Sequence, residues 1–309
     1  MNPLAPGIAV LERVRVFTPL GIRFWDSAFD VPAAAELRVH AWLAGGDFAP
    51  VRGVRSPSGI YGFHGLPGRA AQEYPAERED APESAGPVQE YAISVEDPGG
   101  LFLPVAFSVT LPLGYRGEFL SGGLSPPGSA AGRAYLFSAP SRPVPARAAA
   151  VRADLWDADA DRPAAWAVLR ATVEGATHTT VADQDGRALL LFPVPSVDRL
   201  RLGSPPGSGQ GAPAGNRWAV TVGVWYEPAA LRFPFAGRGD LHPAWGDRPS
   251  LKSVLDEQRA ALVWQEEGLA PASEHAAELV YGEELVLRTV DAGGTPSSRL
   301  WISAGASPP

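Results

Sequence analysis

Carboxylates at alternate positions are the most suggestive chemical feature of this 309-residue sequence. Asp157, Asp159 and Asp161 have the spacing of the first three ligands in an EF-hand type of calcium loop. The sixth position of such a loop requires glycine but holds Arg162, and the twelfth requires a bidentate glutamate but holds Val168. The pattern therefore favours a solvated acidic loop before a strand over a cation site.

A second acidic pair, Asp183 and Asp185, stands directly before Gly186. Two carboxylates at a loop tip could hold a cation. Aspartate side chains in turns more often accept hydrogen bonds from their own backbone, and Asp-Gly supplies the positive φ that tight turns need. We therefore expect a turn here, with strands on both sides.

Histidines, serines and glycines show no catalytic spacing. None of the five histidines lies within four residues of another, so no helix or strand carries a pair of metal ligands. Ser125 and Ser208 lie among glycines but outside a Gly-x-Ser-x-Gly motif, and Gly207, Gly209 and Gly211 lack the context of a phosphate loop. We expect no catalytic residue, no metal and no cofactor. The histidines are His40, His64, His178, His242 and His275.

Composition narrows the possible partners and compartments. A formal net charge of −8 disfavours nucleic acid. The absence of cysteine excludes disulfides and thiol chemistry, and it agrees with a reducing cytosol. Neither a basic, apolar leader nor a stretch of about 18 apolar residues is present, so we expect a cytoplasmic protein without a transmembrane segment.

Abundant turn-forming residues and short alternating runs predict a mostly β chain. The 34 glycines and 32 prolines suit many short strands. Proline density over residues 138–147 predicts a linker between two antiparallel β-sandwich domains, residues 1–137 and 148–309. Ser250, an apolar stripe and Gly268 predict one amphipathic helix over residues 250–265.

The stretch from residue 164 to 195 predicts the central hairpin of the second sandwich. Two apolar runs flank the Asp185-Gly186 turn, and prolines stop the second run. We expect four of its side chains to be buried in one core. A tryptophan strand, a turn glycine and an aromatic strand ending in proline recur near residues 42–67, which indicates an internal repeat. The four side chains are Trp166, Val168, Leu190 and Phe192.

The Asp-x-Asp-Gly turn and its following apolar strand resemble the transthyretin-like, carboxypeptidase-regulatory-like sandwich family. This turn and the stretch from Phe17 to Asp26 make the chain look like an accessory protein of a phage-tail-like contractile injection system. The resemblance implies a non-enzymatic structural or adaptor component at a cap or baseplate. No sheath, tube or spike signature accompanies it. The alternatives are a carbohydrate-binding sandwich, which requires a row of exposed tryptophans, and an enzyme with an unrecognised site.

Aromatic residues concentrate in the C-terminal third, residues 225–265. Either the chain's own sheet or another protein must cover the apolar stripe of the predicted helix. Because aromatic-rich, lysine-poor surfaces are typical of interface cores, we predict that this third docks onto other protein subunits of a symmetric particle. The predicted interface residues are Trp225, Tyr226, Phe233, Phe235, Trp245, Leu251, Val254, Leu255 and Leu262.

Overall fold

The computed structural model describes residues 16–45, 48–74, 87–113, 124–126, 130, 132–195, 217–236 and 246–303. Its fold is mostly β, as predicted: two antiparallel-rich sandwiches and one amphipathic helix near the C-terminus. The N-terminal elements are β1 (Leu20–Asp26), β2 (Val31–Pro32), β3 (Arg38–Leu43), β4 (Val51–Arg52), β5 (Val54–Arg55), β6 (Ile60–Phe63), α1 (Ala70–Glu73), β7 (Gln89–Glu96), β8 (Val105–Leu111) and β9 (Ala134–Leu136).

In the second half, the described residues form ten strands and a helix. They are β10 (Ala148–Asp157), β11 (Arg162–Pro163), β12 (Val168–Val173), β13 (Ala176–Val181), β14 (Arg187–Pro193), β15 (Arg217–Trp225), α2 (Leu251–Asp256), β16 (Leu262–Val263), β17 (His275–Val280), β18 (Glu284–Leu287) and β19 (Leu300–Ser303). A 3-10 turn spans Pro228–Ala230.

Each half forms two facing sheets. The N-terminal sheets have the orders β2-β1-β6-β5, with β9 also on β1, and β4-β3-β7-β8. The C-terminal sheets are β13-β12-β15-β17 and a set around β10, which pairs with β11, β14, β18 and β19 while β16 extends β19. In the described residues, every strand ladder joins strands on one side of residues 138–147.

Alternation along the strands explains the C-terminal core. Leu190 and Phe192 of β14 are buried against the inward side chains of the facing sheet. Val168 is also buried, but it faces the N-terminal core, because Leu169 takes the inward position and the side-chain period of a strand is two. Trp166 lies half-buried in a turn before β12, with a φ of 63°. The prediction that these four side chains share one core is therefore wrong for Trp166 and Val168.

The Asp185-Gly186 turn connects two sheets and does not form a hairpin. Strand β13 pairs with β12, whereas β14 pairs with β10 over seven residues. The close hairpin of this region is instead the one at Glu174-Gly175, which joins β12 and β13. Gly186 has a φ of 78°, and its N–H and carbonyl groups bond Asp183 and Leu155. The turn chemistry was predicted from the sequence, but the pairing partner was not.

An internal repeat is present, and other residues carry it than those expected. In both sandwiches a Trp-Asp pair ends the first strand, and a Pro-Ala-Ala stretch follows the turn. In both, a late strand joins that first strand in parallel. An arginine before the late strand lies over the tryptophan ring, Arg133 over Trp25 at 3.6 Å and Arg299 over Trp156 at 3.3 Å.

Helix α2 ends much earlier than predicted. Its described span is Leu251–Asp256, and the Gln258 side chain donates to the carbonyl of Val254 at its end. The following residues turn toward the sheets: Ala261 donates to Val224, and Leu262 begins β16 beside β19. Sheet pairing thus outweighs the helical pattern of the apolar residues in this stretch.

Two glycines separate conformational strain from steric crowding. A methyl group on Gly186 would collide with the Leu155 carbonyl oxygen, whereas one on Gly175, whose φ is 81°, meets nothing within 4 Å. We expect Gly175→Ala to lower the free energy of unfolding by about 1 kcal/mol through φ strain alone. We expect Gly186→Ala to lower it by about 3 kcal/mol, since overpacking is added. Urea denaturation of both variants tests this, and equal losses would contradict it.

Candidate functional site

The first acidic loop is organised by hydrogen bonds within the chain. Asp157 is buried, and its Oδ1 accepts from the backbone N–H groups of Asp159 and Ala160 at 3.1 and 3.2 Å. Asp161 accepts from the indole N–H of Trp156 at 3.0 Å. These carboxylates therefore stabilise the turn between β10 and β11. Their hydrogen bonds favour a structural role over ion binding.

The second acidic pair is organised in the same way. Oδ1 of Asp183 accepts from the backbone N–H groups of Asp185 and Arg187, both at 2.9 Å. The Arg187 guanidinium forms ion pairs with both carboxylates. A cation bound here would have to displace that guanidinium. No group of three or more potential metal ligands occurs among the residues that the structure describes.

A hydroxyl–imidazole–carboxylate chain lies on the N-terminal sandwich, and sequence reasoning missed it. Thr18 Oγ1 is 3.3 Å from Nε2 of His64, and Nδ1 of His64 is 3.0 Å from Oε1 of the buried Glu73. The order of groups is that of a nucleophile, a base and an orienting acid. The residues are 46 and 9 positions apart, so no sequence motif could reveal them.

The geometry of this chain of groups fits a structural role better than a catalytic one. The distance of 3.3 Å exceeds the usual range for a nucleophile and its base. The other oxygen of Glu73 accepts from the backbone of Gly65 at 2.8 Å, so the carboxylate ties the segment after β6 to α1. The polar groove described below is lined by other residues.

The C-terminal third sends an arm across the N-terminal sandwich. We define the arm as residues 231–236 and 246–250. Phe235 is only 1% exposed, and its ring meets that of Trp42 edge-on at 4.9 Å between centroids. Ala92 and Ala106 complete this apolar cluster on the outer face of the sheet β4-β3-β7-β8. Both faces of that sheet are therefore covered.

A charged contact fixes the arm next to the aromatic one. Arg248 is 8% exposed, and its guanidinium lies 2.8 Å from Oε1 of Glu96 and donates to Ser94 Oγ at 3.2 Å. Glu96 and Ser94 alternate on β7 with the inward Val95, so both point outward. Ser250 then forms a parallel bridge with Ala106 of β8.

The structure corrects the interface predicted for the C-terminal third. Phe235, Leu251, Val254 and Leu255 are buried against the N-terminal core or sheet of the same chain, and Tyr226 lies in the C-terminal core. The helix faces two sandwiches, because Val168 and Val181 join the same cluster. The cover that the apolar stripe needs is thus supplied within the chain.

The other predicted interface residues have different places. Phe233 is 38% exposed, whereas Trp225 and Leu262 are half-buried, the latter in β16 beside β19. Trp245 lies outside the described residues. An outer partner for Phe233 and Trp225 stays a prediction.

A polar groove of about 450 Å³ lies on the outer face of the sheet β13-β12-β15-β17. Three threonines, Thr177, Thr172 and Thr221, form a row across three strands, and Thr172 and Thr177 share a hydrogen bond of 3.0 Å. Arg170 stands in the next row, with its guanidinium 3.9 Å over the ring of Trp225. The groove also includes Gly223, Val224, Ala260, Ser273 and Glu274.

Two buried polar atoms beside this groove have no hydrogen-bond partner among the described residues. Nε of Arg170 is buried and finds no hydrogen-bond acceptor in the described chain, and neither does Oγ1 of Thr179, which is 7% exposed. These two residues are directly opposite each other on β12 and β13. Burial lowers the pKa of the Arg170 guanidinium, and the charge of Asp256 opposes this effect. Because the great majority of buried polar groups in folded proteins are hydrogen-bonded, these two atoms need an explanation.

Comparisons with known proteins leave the family open. No protein-family model matches the sequence, and no curated protein matches it. Among solved structures, the shaft pilin SpaA of Lactobacillus rhamnosus GG aligns over 96% of this chain and 100% of its own, at 8% identity and a TM-score of 0.23. A point mutant of the same pilin aligns over 94% and 100%, at 9% identity and a TM-score of 0.22. Similarity this low carries no argument.

Within the described part of the chain, neither helix has the length and hydrophobicity that crossing a membrane requires.

The arm contains two arginine pairs that differ in burial. Arg248→Ala leaves Glu96 without its buried counter-ion, so we expect a loss of about 3 kcal/mol in the free energy of unfolding. Arg232 pairs with Glu257 on the surface and is 76% exposed, so Arg232→Ala should cost less than about 1 kcal/mol. Urea denaturation measures both variants. A smaller loss for Arg248→Ala than for Arg232→Ala would show that the buried contact does not hold the arm.

Proposed function

We propose that this protein is a non-enzymatic structural or adaptor component of a protein particle, acting through protein–protein interfaces. The observation that carries the proposal is the arm, whose buried aromatic and ionic contacts join two sandwiches across an outer sheet face. A chain in which an ion pair between Arg248 and Glu96 holds the two sandwiches together is suited to keeping them in a fixed geometry. The ionisable clusters in the turns likewise serve the fold.

We further propose which kind of particle the chain belongs to. The Asp-x-Asp-Gly turn, the stretch from Phe17 to Asp26 and the tandem sandwiches favour a contractile injection system, with the chain at its cap or baseplate. The protein would be made in the cytoplasm and join the particle there. A carbohydrate-binding function is less well supported, because guanidinium groups cover faces of Trp25, Trp156 and Trp225 that a sugar ring would need.

Assembly into a particle is tested in cells that produce the protein. A tagged chain is expressed at its own locus, and particles are separated by sedimentation on a density gradient. We expect the chain to co-sediment with sheath and tube proteins identified by mass spectrometry. Free tag produced in the same way serves as the control. Recovery of the chain only near the top of the gradient, while complete particles form, would refute the proposal.

The absence of enzymatic activity is tested at His64, which lies between the Thr18 hydroxyl and the Glu73 carboxylate in the order of a catalytic triad. Purified protein and its His64→Gln variant are incubated with p-nitrophenyl acetate. We expect rates that differ by less than about tenfold, as loss of one exposed imidazole would give, because the Thr18 hydroxyl lies 3.3 Å from Nε2, beyond the usual range for a nucleophile and its base. A wild-type rate more than about tenfold above the variant would assign an activated nucleophile to this site and overturn the non-enzymatic part.

A further inference from the structure

The two sandwiches present the same sheet to the outside but cover it differently. The orders β4-β3-β7-β8 and β13-β12-β15-β17 correspond strand by strand. The arm covers the outer face of the first sheet. On the second sheet, α2 covers the end that carries Val168 and Val181, and the remaining outer face forms the polar groove. Among the described residues, one chain therefore shows this face occupied in one sandwich and open in the other.

The occupied face shows what such an occupant provides. The arm contributes an apolar ring and a guanidinium, and the sheet contributes Trp42, Ser94 and the carboxylate of Glu96. The contact is satisfied because the buried guanidinium of Arg248 meets the half-buried carboxylate of Glu96. Backbone pairing adds little to it: among the described residues of the arm, the sheet is bridged at Ser250.

The open face has the opposite polarity. Here the sheet provides the guanidinium, Arg170, with a buried Nε that lacks an acceptor. Asp256, the acidic group whose charge reaches Arg170, is engaged by Lys252 at 2.8 Å. A carboxylate in the groove would accept from the guanidinium fork, and the threonine hydroxyls beside it could donate to its remaining lone pairs.

A carboxylate also suits the rest of the groove. Glu274 is exposed at the rim, where water screens its repulsion of a second acid. The ring of Trp225 holds the guanidinium flat, so an approaching carboxylate meets a pre-oriented donor. The hydroxyl row of Thr177, Thr172 and Thr221 runs across the strands, which matches an extended segment better than a single ion.

We propose that this groove receives an extended segment of a neighbouring protein whose glutamate or aspartate pairs with Arg170. The proposal deepens the proposed function, on which it rests, by naming one of its interfaces and the chemistry of the partner.

An array of acetylated pentapeptides tests the proposal with the full-length protein. Each peptide has a central glutamate flanked by varied apolar, aromatic and hydroxyl residues, and a twin peptide has glutamine instead. Labelled protein is applied, and dissociation constants of the best peptides are measured by fluorescence anisotropy. We expect glutamate peptides that bind at least about tenfold more tightly than their glutamine twins, as a charge-assisted hydrogen bond provides.

Variants locate the binding. Arg170→Gln should abolish the preference for glutamate, and Arg170→Lys, which keeps the charge but loses the fork, should retain a weaker preference. Arg217→Gln is the matched control, since Arg217 lies on the same sheet and already pairs with Glu278 at 2.8 Å. This control should keep the full preference. Thermal unfolding verifies that all three variants fold.

The peptide experiment tests binding in the groove, and its result can be distinguished from that of the co-sedimentation experiment. An array without any glutamate preference, or a preference that survives Arg170→Gln, overturns the proposal. Self-association of the wild type that Arg170→Gln abolishes would also overturn it, because the carboxylate would then come from a second copy. If the peptides fail but the chain still co-sediments with particles, the proposed function stands without this interface.

Discussion

Covering the outer face of the N-terminal sheet is the constraint on which the rest of the structure depends. Trp42 and Ser94 are buried although they point away from the sandwich core, and among the described residues the arm covers them. Without the arm, the indole would expose apolar area, and Glu96 would lose its contact with the Arg248 guanidinium. The arm in turn requires α2 to sit between the two sandwiches, where Val254 and Val168 share one cluster.

The same constraint distinguishes the two halves of a repeated architecture. Both sandwiches begin with a Trp-Asp turn, receive a parallel strand beside it and place an arginine over the tryptophan. Those shared parts build the fold. The outer sheet faces differ, because one is apolar and acidic and is occupied, whereas the other combines Arg170 with threonines and is open. Function in such a chain would reside where the repeat diverges.

Much of the fold could be predicted from the sequence, because local periodicity determines which face of a strand is apolar. Trp218, Val220, Val222 and Val224 alternate with other residues along β15, a pattern that indicates one apolar face, and all four are buried in one core. Periodicity cannot identify a strand's partner, so β14 was assigned to a hairpin although it pairs with β10. It also placed Leu262 in a helix, where β19 recruits it into a sheet.

The site itself was beyond sequence reasoning for the same physical reason. Arg248 and Ser94 are 154 positions apart, and no local pattern announces that a guanidinium will reach that hydroxyl. Aromatic enrichment in residues 225–265 led to the prediction of an interface with another protein, whereas most of the named side chains are buried within this chain. Composition does not reveal which surface an aromatic segment covers. Arg170 likewise looked like an ordinary outward residue of a strand, and only the burial of its Nε makes it notable.

The claim that the arm couples the two sandwiches is tested most directly by differential scanning calorimetry of the full chain and of a Phe235→Ala variant. We expect a single transition for the wild type, with equal calorimetric and van't Hoff enthalpies. We expect two separated transitions for the variant, because the N-terminal sandwich loses the ring that packs on Trp42. Two separate transitions already in the wild type, or one unchanged transition in the variant, would contradict the account.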